Sequence, residues 1–137
     1  MKNQEYKDPE MKKFYEKLKQ CPIRKTLDII ADKFTVLILR NMLYHKHTRF
    51  NHFLENIEDL HPKTLSLRLK QMEKKGLIKR KVYDETPIRI EYIPTEKGYA
   101  LKPLINSMAI FSTKYFSNEI FFDGKPKDLK SFWSKEL

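Results

Sequence analysis

At 137 residues the chain is long enough for one domain with one core and an added arm, and its 40% apolar content supports a folded interior. Its 28 Lys and Arg against 18 Asp and Glu leave a net charge of +10, which favours polyanions, nucleic acid first and an anionic membrane second. No apolar run approaches the roughly 18 residues of a membrane span, the opening MKNQEYKDPEMKK lacks a signal-peptide core, and one cysteine excludes an intrachain disulfide framework, so a cytoplasmic protein is expected.

Asp8-Pro9 reads as an N-cap followed by proline at the first helical position. Met11, Phe14, Tyr15 and Leu18 then follow at i, i+3, i+4 and i+7, predicting an amphipathic helix to about Lys19. Cys21-Pro22 opens a second helix with Ile23, Leu27 and Ile30 turned inward, and Asp32-Lys33 bends or breaks it. A third helix is predicted from Thr35 to about Tyr44, with Val36, Leu37, Leu39, Met42 and Leu43 as core positions. After the polar turn His45–His47, Thr48-Arg49-Phe50 reads as a very short strand, and Asn51 as the cap of a helix carrying Phe53, Leu54 and Ile57. Glu58-Asp59-Leu60 makes a tight connection to the next helix.

That next helix, His61–Gly76, is the most informative stretch. Leu65, Leu69 and Met72 form one apolar stripe, while Lys63, Leu67, Lys70, Gln71 and Lys74 project from the opposite side. Pro62 suits the first turn and Gly76 the stop. Leu77–Tyr83 and Arg89–Ile93 read as strands joined by Asp84–Ile88, with Pro87 keeping the hairpin open. From His61 to Lys81 there are eight basic residues against Glu73 alone, a local net of +7. A helix-turn-helix with a basic second helix, followed directly by a hairpin, predicts a mainly α winged helix-turn-helix with a small β-hairpin.

Thr95 then caps a further helix, and Leu101, Leu104, Ile105, Met108, Phe111 and Tyr115 make a long apolar seam at 3–4 spacing. Pro103 falls inside that seam and should kink the helix or restart it. The seam is too long for a winged core to cover, so it is expected to pack on the Met11–Leu18 helix and on a second subunit; an intramolecular helical cap is the alternative. The tail, with Ile120, Phe121, Phe122, Leu129, Phe132 and Trp133, is too aromatic for a plain disordered segment and is expected to dock. The resulting scheme is an N-terminal arm (1–20), a winged core (21–94), a dimerisation helix (95–117) and a docked tail (118–137).

Several motifs in series resemble the HxlR-type, MarR-like winged helix-turn-helix regulators. They are Cys21-Pro22-Ile23 through Asp28, Lys33-Phe34-Thr35 with Ile38-Leu39-Arg40, Arg49-Phe50-Asn51, Leu65–Leu69, Gly76-Leu77-Ile78, Glu91-Tyr92 and Thr95–Gly98. The resemblance runs from about Cys21 to Phe111 and implies a dimeric transcription regulator without enzymatic activity. This chain departs from the pattern at His61, where the family usually has a serine-like cap, and at Asp84 and Ile88, where relatives often carry prolines.

For DNA recognition, the first half of the basic helix would approach base edges through Pro62, Lys63, Thr64, Ser66 and Leu67. Lys70 and Lys74 would meet phosphates, as would Lys79, Lys81 and Arg89 in the wing, and the resemblance implies a backbone contact for Arg49. Arg68, towards the flank, is assigned equally to phosphate or to a structural ion pair. The target would be double-stranded DNA with a pseudo-palindromic operator, bound by a homodimer.

Cys21 sits at the positive end of its predicted helix with Arg24 and Lys25 close by, an arrangement that favours thiolate. In some members of the resembled family the matching cysteine senses oxidants or electrophiles, whereas a lone cysteine is most often an inert small hydrophobe. His45, His47, His52 and His61 read as turn or surface residues, and no metal, cofactor or catalytic constellation is expected. Two other readings stay open. One is a winged helix protein–protein adaptor without sequence-specific DNA binding; the other is an aromatic-effector cavity lined by Tyr15, Phe34, Met108 and Phe111.

Overall fold

The computed structural model describes residues 5–128, 130 and 133, and divides into two compact units between Asp32 and Lys33. The first unit holds helices α1 (Pro9–Tyr15) and α2 (Pro22–Ile30). Asp8 caps α1 as expected, its carboxylate accepting from the N–H groups of Glu10 and Met11 at 2.8 and 3.1 Å. The helix stops short of Lys19 because Leu18 N–H turns onto Tyr15 O at 3.0 Å, a tighter closure that ends the α-helical ladder. Cys21 is the N-cap of α2 and Pro22 its first residue. The inward face expected of α2 is not realised: Ile23 and Leu27 are 72% and 51% exposed. Neither α1 nor α2 holds a buried residue.

The second unit carries α3 (Lys33–His45), α4 (Phe50–Asn56), α5 (Pro62–Lys74), strands β1 (Ile78–Tyr83) and β2 (Arg89–Pro94), then α6 (Glu96–Tyr99), α7 (Lys102–Tyr115) and α8 (Ser117–Ile120). Its centre is built by Ile38, Leu39 and Leu43 of α3, Phe53 of α4, Leu65, Leu69 and Met72 of α5, and Leu77 and Ile78 at the start of the hairpin, all essentially buried. Ile38 was not among the expected core residues, whereas Val36 and Leu37 were and are only half-buried; α3 begins at Lys33, and its buried face centres on Ile38, Leu39 and Met42. α5 packs against α3, α4 and β1.

The expected strand at Thr48–Phe50 is absent. Phe50 is drawn into α4, Arg49 rather than Asn51 is the N-cap, and only Tyr92 N–H donates to Thr48 O at 2.8 Å, a single rung too short to form a ladder. The α4–α5 turn is tight: Asp59 adopts φ 61, Ile57 and Leu60 are buried, and His61 starts α5 without a side-chain cap. β1 and β2 pair antiparallel from Ile78↔Pro94 to Tyr83↔Arg89.

A knot of contacts closes the base of the hairpin. Thr95 N–H donates to Leu77 O at 3.0 Å and its hydroxyl to Gly76 O at 2.6 Å, while its Oγ1 accepts from Gly98 N–H at 3.2 Å. Gly76 takes φ 75, the left-handed stop of α5. Pro103 restarts the chain as α7, lying in that helix's first turn. In the tail Trp133 stacks on Tyr44, with ring centroids 3.8 Å apart and planes 8° from parallel. Ile120 and Phe122 are exposed, and Leu129 and Phe132 lie outside the described residues.

A Cβ added at buried Gly98 would lie 2.2 Å from the Leu77 carbonyl oxygen, inside its van der Waals limit. Gly98→Ala should therefore lower stability by about 2 kcal/mol, a typical overpacking cost, in urea denaturation. An unchanged midpoint would show that the hairpin base shifts freely.

Candidate nucleic-acid interface

Burial of one stripe of α5 decides what the other presents. With Leu65, Leu69 and Met72 at 0–1% exposure, the opposite side carries Lys63, Leu67, Lys70 and Lys74 at i, i+4, i+7 and i+11. At 1.5 Å per residue this stripe runs about 16 Å along the helix. The three lysines are exposed and Leu67 is 50% exposed. Pro62 is exposed as well, and Thr64 and Ser66 are half-buried on its flanks. Exposing a leucine between lysines gives a surface with both an apolar contact and charge, which suits a thymine methyl beside phosphates.

The sheet register sorts the wing. Directly paired residues share a face, so Lys79, Lys81 and Tyr83 lie with Ile93, Glu91 and Arg89, while Arg80 lies on the other face with Tyr92 and Ile90. The three wing residues expected to contact DNA thus fall on one side. They are not equivalent. Lys79 is exposed, Lys81 Nζ lies 5.1 Å from the Tyr83 ring centroid, and the Arg89 guanidinium stacks on the same ring at 3.9 Å. Arg89 also pairs with Glu85 at 3.2 Å, so part of its charge is spent within the hairpin.

Glu91 was missed in reading the sequence. It accepts from Tyr83 OH at 3.1 Å and lies 4.0 Å from Arg49 Nε, tying the α4 cap to the wing. Its signal was its cross-strand position opposite Lys81, which only the register reveals. Arg68 donates to Gln71 Oε1 at 2.8 Å along its own helix, which draws its guanidinium to the flank of α5.

α7 is two-sided. Ile105 is buried, 7% exposed, so it belongs to the core of its own unit and leaves the seam that was drawn through it. Leu101 is half-buried. Leu104, Met108, Phe111 and Tyr115 remain exposed at i, i+4, i+7 and i+11 along one stripe, while Ile105 and Thr113 are buried. In the first unit Met11, Phe14 and Leu18 are exposed and Tyr15 half-buried.

Cys21 is a free thiol, half-buried, with Sγ 3.8 Å from Tyr15 OH. The Arg24 backbone N–H at the start of α2 and then the Tyr15 hydroxyl hold the thiol below its ordinary pKa, outweighing burial. The same contact pushes the Tyr15 hydroxyl upward. Among the described residues no group of three or more His, Cys, Asp and Glu side chains could hold a metal ion, and no helix is long and apolar enough to cross a membrane. His45, His52 and His61 are exposed and His47 half-buried.

The HxlR-like helix-turn-helix family model matches residues 29–120. An uncharacterised helix-turn-helix-type transcriptional regulator of Synechocystis is 34% identical over 99 residues, covering 72% of this chain and 73% of the relative. Among solved structures, the redox regulator HypR in its oxidised form superposes with a TM-score of 0.63 at 30% identity, covering 69% of this chain and 96% of that one. The reduced form of the transcriptional regulator YodB from Bacillus subtilis gives a TM-score of 0.60 at 27% identity, covering 71% and 95%.

Tyr15→Phe removes the one side-chain hydrogen bond that favours the thiolate. The pH midpoint for Cys21 alkylation by iodoacetamide should lie below that of an ordinary thiol and move upward in the variant. A midpoint indifferent to the substitution would assign the depression to the helix end alone.

Proposed function

The chain belongs to the HxlR-like helix-turn-helix family and is a transcriptional regulator of the helix-turn-helix type, and from that premise we propose that it acts as a homodimer reading a two-fold DNA site. The observation that carries this reading is the exposed Lys63, Leu67, Lys70 and Lys74 stripe of α5 beside the basic wing face. In this reading Pro62, Lys63, Thr64, Ser66 and Leu67 meet base edges, because the N-terminal half of a recognition helix enters the major groove. Lys70, Lys74, Lys79 and Lys81 supply sequence-independent attraction to phosphates, with Arg49 and Arg89 as weaker contributors held by Glu91 and Glu85. The two exposed apolar faces, Met11-Phe14-Leu18 and Leu104-Met108-Phe111-Tyr115, supply the dimer contact. An exposed leucine–aromatic stripe of this length is costly in water and is relieved by a second copy.

The same reading makes Cys21 a thiol switch. Its depressed pKa raises the thiolate fraction near neutral pH, and thiolate is the species that oxidants and electrophiles attack. HypR is itself described as a redox regulator, which supports the assignment by likeness.

Selection of bound fragments from random duplexes supplies the operator on which variants are compared. Lys63→Ala and Leu67→Ala should change the selected sequence at about 1–3 kcal/mol per disturbed contact. Lys70→Ala should weaken all duplexes alike and flatten the dependence of log affinity on log salt by roughly one. Variants that bind the operator as the parent does, at moderate salt, would defeat the DNA-reading assignment.

Mild oxidant should change the operator affinity of the parent and leave Cys21→Ser unaffected, with sedimentation following the assembly in each case. Equal affinities of treated and untreated parent would remove thiol control while leaving DNA reading intact.

A further inference from the structure

A cavity of about 210 Å³ opens between α3 and α4, lined by Arg40, Asn41, His45, His47 and Asn56. Every lining residue is polar, and its volume falls below the roughly 300 Å³ where drug-sized sites begin. Arg40 is the unusual member. Burial lowers the pKa of its half-buried guanidinium, while Glu58 raises it by charge alone. Among the described residues no carboxylate forms an ion pair with it, and its Nε donates to the neutral Asn41 Oδ1 at 2.9 Å. A half-buried cation that makes no ion pair gains from an anion placed beside it.

The imidazoles extend that polar wall. His47 lies with its ring centroid 5.8 Å from His45 and 4.7 Å from His52, the latter on α4. Asn41 Nδ2 stands 3.4 Å from His47 Nδ1 and 3.5 Å from Asn56 O, so the floor of the cavity is held by its own hydrogen bonds. We propose that this cavity binds a small oxyanion, phosphate or carboxylate in chemistry, between the Arg40 guanidinium and the imidazole rings of His45 and His47.

The charged and titratable groups facing it set its pH dependence. Burial first, then His52, His45 and Arg40, hold His47 below its ordinary pKa, so positive charge is crowded there. The C-terminal ends of α3 and α4 bring carbonyl oxygens to the same place, and Glu58 acts on Arg40 from outside. An anion beside His47 would offset that crowding, so its binding strengthens as pH falls. The site adjoins the joint that steadies the wing: His47 N–H donates to Asn41 O at 3.1 Å, and the next residue's carbonyl, Thr48 O, accepts from Tyr92 of β2. A bound anion would thus reach the DNA-reading surface by a route separate from Cys21 and from the apolar faces.

The full chain is titrated with sodium phosphate and, separately, sodium acetate at about pH 6.5, following imidazole carbon–proton resonances at constant ionic strength. Saturable shifts of His45 and His47, with His61 unmoved, are expected. Saturation by both salts assigns the site to oxyanions generally, and saturation by phosphate alone narrows it to phosphate. Arg40→Gln should weaken binding at least tenfold. His45→Asn, an exposed position that leaves the fold intact, should weaken it several-fold and decides the matter if Arg40→Gln does not fold. Non-saturating shifts equal to those from chloride, or unchanged affinity in His45→Asn, would overturn the proposal. So would a scrambled duplex moving these rings where free phosphate does not, since the occupant would then be DNA.

Discussion

One-sided burial of α5 is the constraint from which the rest of the second unit follows. Leu65, Leu69 and Met72 are enclosed by α3, α4 and the start of β1, and each such side chain loses ~1.5–3 kcal/mol if returned to water. The helix cannot rotate about its axis without exposing all three. Its orientation is therefore set by hydrophobic burial, and the position of Lys63, Leu67, Lys70 and Lys74 is a consequence rather than a separate choice. The surface proposed to read DNA is held by forces that have nothing to do with DNA.

The wing is held by different means. A two-stranded hairpin is marginal alone, and this one is closed at its base by Thr95, whose backbone and hydroxyl bind Leu77 and Gly76 while capping α6. Gly98 belongs to the same joint, because no side chain fits against the Leu77 carbonyl. At the outer part of the hairpin, Glu91 gathers Tyr83 and Arg49, and Tyr83 in turn carries Arg89 and Lys81 against its ring. The basic face is thus partly self-neutralised. Lys79, which is exposed, differs in kind from Arg89, which is held in place by aromatic stacking and a carboxylate.

α7 repeats the geometry of α5 with opposite chemistry. Each presents an outward stripe at i, i+4, i+7 and i+11, lysine-rich on α5 and apolar on α7. Tyr44 links α3 to the first turns of α7, its hydroxyl bonded to Asn106 and facing the Lys102 carbonyl, with Trp133 of the tail stacked on its ring. The core that positions the basic stripe and the helix that presents the apolar one are therefore mechanically joined. Regulators of this architecture can exploit such a joint, since a two-fold DNA site is sensitive to the spacing of its two readers.

By itself the sequence determined where the main helices and the two hairpin strands would form, but not that Thr48–Phe50 would lack a strand. Periods of 3.6 and 2 are local properties of the chain, and so are the helix starts at Pro22, Pro62 and Pro103 and the stop at Gly76. It also determined which residues of α5 would face outward, because one clean apolar stripe leaves a single solution. It did not determine what covers each apolar face. Ile23 and Leu27 have helical spacing suited to burial yet stand exposed, while Ile105 left an outward seam for the core. Periodicity marks a face as apolar; only packing supplies the neighbour that buries it. The roles of Glu91 and Arg40 were hidden for a related reason. A charge acquires its meaning from groups distant in sequence, and the strand register and the α3–α4 cavity exist only once the chain has folded.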